Sequence, residues 1–103
     1  MFNDINKVIL CGRLTRDAEF KSLSTYEITK LALAVNHKEK TGIEEVCFIE
    51  ACTFLSIPED IRMELKKGKQ VVIEGRLKYQ TWVDRNGGEK ITHNIIIDKI
   101  SLY

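Results

Sequence analysis

Residues 44–84, EEVCFIEACTFLSIPEDIRMELKKGKQVVIEGRLKYQTWVD, change their hydrophobic period twice, and those changes decide the fold. In 44–54 Ile49, Ala51 and Thr53 alternate with Phe48, Glu50, Cys52 and Phe54, the period of a strand with two unlike faces. One face carries two phenylalanines beside a glutamate. In 56–70 the spacing lengthens: Ile57, Ile61 and Leu65 recur every four residues behind Pro58, with Glu59 and Asp60 in the first turn and Lys66, Lys67 and Gly68 at the end. This predicts a short helix whose single apolar stripe plugs or covers something. From Val71 the period returns to two, and Val71, Ile73, Leu77, Tyr79 and Val83 alternate with Val72, Glu74, Arg76, Lys78, Gln80 and Trp82. The first set is expected in the core, and the second makes a basic face with an aromatic at its tip.

Outward from this stretch the chain is all strand. NKVILCGRL (6–14) is dense in strand formers, with Gly12 placed to permit a bulge or a close backbone approach. In TKLALAVN (29–36) Leu31, Leu33 and Val35 fall on one parity and Lys30, Ala32 and Ala34 on the other. Asn86, Gly87 and Gly88 are read as the positive-φ residues of a hairpin turn, and ITHNIIIDKISLY (91–103) as a last strand whose apolar parity shifts near Asp98. Five strands with one short helix between the third and fourth predict an all-β OB-fold, a small Greek-key barrel. An SH3-like barrel would not readily house that helix.

The chain is 103 residues long, 44% hydrophobic and 30% charged, which suits one domain over 1–103 and excludes the disordered classes. Sixteen Lys and Arg against fifteen Asp and Glu leave a net charge of +1, so any basic surface must come from arrangement. Cys11, Cys47 and Cys52 lack CxxC spacing, and MFNDINK lacks the basic and apolar regions of a signal peptide, so reduced thiols in a cytoplasmic protein are expected. No apolar run spans a membrane. His37 and His93 share no ligand spacing with a cysteine, so no metal and no cofactor is expected.

The informative constellation is Phe48, Phe54 and Trp82, with Arg76 and Lys78 on the strand that carries the tryptophan. Interleaved aromatics and cations fit single-stranded nucleic acid, whose unpaired bases stack while its phosphates need cations along the track. The competing use of the same rings is to cap one end of the barrel. Lys38 and Lys40 in the loop HKEKTG, Arg85 at the last hairpin and Arg13 and Arg16 near the end of strand one are candidate phosphate contacts, or else ordinary solvated charges. Catalysis finds no support: Cys47, Cys52 and Glu50 have no local histidine partner, and no nucleotide-binding glycine motif is present.

The segments NKVILCGRLTRDAEF, LALAV, CFIEACTF and KKGKQVVIEGRLKYQTWVDRNGGEK resemble the N-terminal domain of the bacterial single-stranded DNA-binding protein family, in order and over nearly the whole chain. The resemblance implies an OB-fold homotetramer that wraps single-stranded DNA without sequence readout, in replication, recombination and repair, in the cytoplasm and with the nucleoid. It places stacking aromatics at Phe48, Phe54 and Trp82 and a basic position at Lys78, with Arg76 nearby. A further family aromatic, in the loop after strand two, has His37 as its nearest counterpart. Ala18 stands where the family usually has Pro, Leu55 where Gly commonly follows the phenylalanine, and the segment from Lys21 to Thr29 is shorter than the family's glycine-containing loop. Family members usually continue into a Gly, Pro and Gln-rich linker and an acidic tip that recruits other proteins. This sequence stops at Tyr103, as a cut domain or as a tailless protein, and tail-mediated partners are not expected for it as given. The nearest other reading is a tailless replication-restart protein resembling primosomal replication protein N, which the IEGRL and TWVD stretches fit less well.

Overall fold

The computed structural model describes residues 3–103, so Met1 and Phe2 of the N-terminal reading lie outside the described residues. Its elements are β1 (Val8–Leu14), β2 (Glu19–Ser22), β3 (Glu27–Lys38), β4 (Glu44–Thr53), α1 (Glu59–Arg62), β5 (Gln70–Val83) and β6 (Glu89–Leu102). The strands run β1-β5-β6-β4-β3-β2, and β1 also pairs with β3 through Arg13↔Ala34 and Leu14↔Leu33, which closes the sheet into a barrel. The β4–β6 pairing, Ala51↔Ile95 and Cys52↔Ile96, is parallel and every other pairing is antiparallel. This is the five-stranded OB-fold with its helix between the third and fourth barrel strands.

The four-residue β2 is a strand the sequence reading did not separate. Arg13 and Glu19 are six positions apart, whereas their partners on β3, Ala34 and Lys30, are four apart. β2 is therefore the continuation of β1 along the same neighbour, offset by a bulge, and the barrel keeps five walls. Sharp bending is also visible at two glycines. A Cβ on Gly12 would stand 2.6 Å from the Ala34 carbonyl oxygen, and one on Gly75 would run into the Ile96 carbonyl, so only glycine admits these close approaches. Opposite the Glu74/Gly75 register shift, Asp98 is left without a partner on β5. That is the parity shift expected near Asp98: Ile95 and Ile97 are buried on one parity, and Ile100 and Leu102 pack against the core on the other.

The core gathers Leu14, Leu31, Leu33, Ala51, Val71, Ile73, Ile95 and Ile97 from the strands and Ile57 and Leu65 from the helical segment. The helix itself is short, Glu59–Arg62, yet the turns after it continue far enough to bury Leu65. This segment is tied to the barrel: Ala18 N–H donates to the Leu65 carbonyl at 2.9 Å and Gly68 N–H to that of Leu14 at 2.8 Å. It covers the open end like a stopper. The hydroxyl of the buried Thr53 donates to the Ile97 carbonyl at 3.0 Å and accepts from Leu55 N–H at 3.1 Å, so this polar group is buried at little cost.

Two expectations are corrected. Leu77, Tyr79 and Val83, placed in the core by their parity with Val71 and Ile73, are 42%, 59% and 65% exposed. Beyond Leu77, whose partner Ile95 still pairs with β4, the β5–β6 hairpin leaves the barrel as a two-stranded arm, so Tyr79 and Val83 have no second layer to pack on and Leu77 sits at the arm's root. The arm is one reason the radius of gyration is 15.4 Å, against about 13 Å for a compact chain of this length. At its tip only Gly87 has positive φ, +81°; Asn86 and Gly88 do not. The turn is longer than the two-residue type, and Asp84 Oδ1 holds it by accepting from the N–H groups of Asn86 and Gly88 at 2.9 and 2.8 Å.

Candidate nucleic-acid interface

Strand alternation turns Phe48, Glu50 and Cys52 outward, because Ile49, Ala51 and Thr53 are drawn to the core side, and Phe54 follows at the strand's end. Cross-strand register extends this outer face over the neighbouring strands. On β3 it adds Lys30, opposite Cys52, and Ala34, opposite Phe48. The arm of β5 and β6 supplies Gln80 and Trp82 from one strand and Thr92 and Asn94 from the other, its even-numbered side.

These residues form two adjoining concavities. Phe48 and Trp82 stand in one, of about 490 Å³. Phe54, Lys30 and Arg16 line the other, of about 210 Å³. Glu50, Gln80 and Asn94 line both, so one groove runs from Trp82 to Phe54 across the barrel. The three rings are 69% (Phe48), 51% (Phe54) and 47% (Trp82) exposed, values that leave ring faces open and set them apart from core aromatics. With their faces this open the rings are not packed into the core, and the plug that the helical segment forms is aliphatic, with Ile57 and Leu65.

Charge follows the same face. Among the described residues Lys30, Arg76 and Lys78 make no ion pair, nor do Lys38, Lys40 and Arg85 in the loops. The groove's own carboxylate, Glu50, is met by Arg16 at 3.7 Å, which offsets its charge. Burial pushes the Cys52 thiol above its ordinary range, while the positive fields of Lys78 and Lys30 pull it the other way, and Lys30 stands directly opposite Cys52 on β3.

The remaining sequence candidates are spread more widely. Arg13 stands on the outer face two strands from Phe48, through Arg13↔Ala34 and Ala34↔Phe48, with its guanidinium donating to the Gly68 carbonyl at 3.0 Å. His37 and Lys38 line a separate hollow with Asn36 and Glu44 near the end of β3, and His37 contacts Glu39 at 3.4 Å. Alternation sets Lys38 on the face of Phe48 and His37 on the opposite one, so the structure does not bring His37 to the aromatic groove. Arg85 lies at the exposed tip of the arm. Sequence reasoning missed Lys30, Gln80 and Asn94 as groove residues. The signal for Lys30 was its cross-strand register with Cys52, which only the pairing reveals. It also missed Tyr26, whose ring meets that of Phe54 edge-on at 5.7 Å between centroids.

A closed OB barrel with an aromatic and cationic groove across its outer strands defines a domain built to hold an extended chain on its surface. The model of the single-strand binding protein family matches residues 5–103, and the chain belongs to that family. It is 42% identical over 100 residues to a single-stranded DNA-binding protein of Helicobacter pylori, covering 92% of this chain and 56% of that one. With its counterpart in Borreliella burgdorferi it shares 37% over 105 residues, 97% of this chain and 70% of the relative. The chain thus spans little more than half of the Helicobacter protein's length. A chain from the solved structure of the Plasmodium falciparum SSB complex with ssDNA has the same fold, with a TM-score of 0.84 at 22% identity over 99% of this chain and 96% of that one. Among the described residues no helix is long and apolar enough to cross a membrane.

Proposed function

We propose that residues 1–103 act as one OB-fold domain that binds and protects single-stranded DNA without reading its sequence. Bases stack on Phe48, Phe54 and Trp82 while Lys78, Arg76 and Lys30 neutralise phosphates along the groove, and Arg13, Lys38, Lys40 and Arg85 meet the strand as it leaves. The observation that carries this reading is the coincidence on one face of three half-open rings with cations that have no carboxylate partner. Names of the relatives, single-stranded DNA-binding proteins, support the same ligand. The domain works by binding and not by catalysis, in replication, recombination and repair, in the cytoplasm and with the nucleoid.

A homotetramer is the assembly we propose. β1 supports it: Val8–Cys11 pair with β5 on one side only, so that stretch offers an open edge, and Ile9 on its outer face is 61% exposed. Titration with oligothymidylate while following tryptophan emission, with mass measured in solution, tests both statements. Saturable quenching and a mass of four chains are expected. No quenching of the only tryptophan would overturn the site, and a monomeric mass at micromolar concentration would overturn the assembly.

A further inference from the structure

The aromatic groove does not end at Phe54. On the far side of that ring lies a third concavity, of about 500 Å³, lined by Leu23, Thr25, Tyr26, Glu27 and Ser56, with Phe54 as the wall it shares with the groove. Tyr26 meets Phe54 at 5.7 Å with the ring planes 64° apart, and the two rings are still 48% and 51% exposed. Two aromatic rings that touch and yet keep half their surface open form a corner. A planar base can stack on one wall and bring its edge to the other, the two geometries aromatic groups favour.

The corner is held in place before any ligand arrives. Leu23 N–H donates to the Tyr26 carbonyl at 2.8 Å and closes the turn that carries the ring. The next residue, Glu27, is gripped through both carboxylate oxygens by one Arg62 nitrogen at 3.3 and 3.1 Å, and that guanidinium lies 4.2 Å above the Phe20 ring. This bracing fixes the loop, and it also neutralises the carboxylate nearest the corner, which would otherwise repel a phosphate chain. A cation is at hand: Lys21 makes no ion pair among the described residues, and its cross-strand partner Ile28 lines the groove, which puts Lys21 on the same face.

We propose that Tyr26 is a fourth stacking platform, which with Phe54 and Lys21 holds one further nucleotide of the single strand beyond the groove. The inference rests on the proposed function and deepens it. It predicts that the strand follows a track from Trp82 past Phe48 and Phe54 to Tyr26, so the β2–β3 turn sets where the binding site ends.

The test is a ladder of oligothymidylates from about 4 to about 16 nucleotides, the range occluded by single OB-folds, bound to wild type, Tyr26→Ala, Tyr26→Phe and Trp82→Ala. Tyr26→Ala should match wild type on the short members and fall about 5- to 150-fold behind on those long enough to reach the corner. Tyr26→Phe, which keeps the ring, should follow wild type throughout. Wild-type affinity of Tyr26→Ala at every length would overturn the proposal. So would a loss equal at all lengths, which marks Tyr26 as a support for Phe54, or a Tyr26→Phe loss as large as that of Tyr26→Ala, which assigns the work to the hydroxyl. Trp82→Ala separates the two readings: if it too binds the whole ladder as wild type, the groove itself is wrong and not only its extension. Thermal melting of each variant checks that the compared proteins are folded.

Discussion

Trp82 lies on a two-stranded arm and is 47% exposed, so its indole contributes little to a core and is free to stack. Trp82→Ala should weaken binding of single-stranded DNA by about 1–3 kcal/mol and shift the melting temperature only slightly. A core tryptophan would behave oppositely, with a stability loss of about 3–5 kcal/mol on truncation, so affinity and melting measured on one variant decide the matter. Cys52 provides a second test at this scale. Burial raises its thiol pKa, which means the proton is held to higher pH and less of the nucleophilic thiolate is present near neutrality. Cys11 and Cys47 are exposed. Iodoacetamide at neutral pH should therefore label those two first and Cys52 last, and bound DNA should slow Cys52 further by covering the groove. Preferential labelling of Cys52 would show that Lys78 and Lys30 dominate over burial.

At the scale of elements, alternation within a strand was legible wherever the strand has a second layer to pack on. The outward set of Phe48, Glu50, Cys52 and Phe54 could be read directly because Ile49, Ala51 and Thr53 must serve the barrel. The same logic misplaces Leu77, Tyr79 and Val83, since a period of two states which residues share a face but not whether that face is covered. Whether β5 remains in the barrel is settled by the register shift at Gly75 and by the extent of β6, both tertiary facts. Tyr26 was illegible for a related reason: it sits in a turn, without a period, and only the fold brings it to Phe54. Leu65 and Leu77 convert this distinction into a measurement. Leu65→Ala removes a fully buried side chain of the stopper and should cost about 2–5 kcal/mol of unfolding free energy, whereas Leu77→Ala, on the exposed arm, should cost well under half as much. Equal losses in denaturant titrations would mean that the odd-numbered face of the arm, with Leu77, Tyr79 and Val83, is covered after all.

For the whole molecule, a net charge of +1 hides a local excess of cations at the groove. Carboxylates of Asp17, Glu27, Glu64, Glu74 and Asp84 are engaged with Arg62, Lys66, Lys69, Lys7, Lys99 and Lys90, and although Asp4, Glu44, Glu45, Asp60, Glu89 and Asp98 make no ion pair among the described residues, the groove's own carboxylate, Glu50, is met by Arg16 while Lys30, Arg76 and Lys78 are left over. A polyanion therefore meets a local positive field that the total charge does not announce. Each phosphate neutralised by one of these cations releases counterions, so the logarithm of the affinity for a single strand should fall linearly with the logarithm of salt concentration, by about 0.7 per contact. Stacking on the rings is not screened by salt, so a residual affinity should survive at high ionic strength. Lys78→Ala should flatten the slope by roughly one contact while Trp82→Ala leaves the slope unchanged and lowers the residual term. Duplex DNA of equal length offers phosphates without free bases and should bind far more weakly at every salt concentration. Equal affinities for duplex and single strand, with the same slope, would reduce the interface to its charges and remove the aromatic groove from the mechanism.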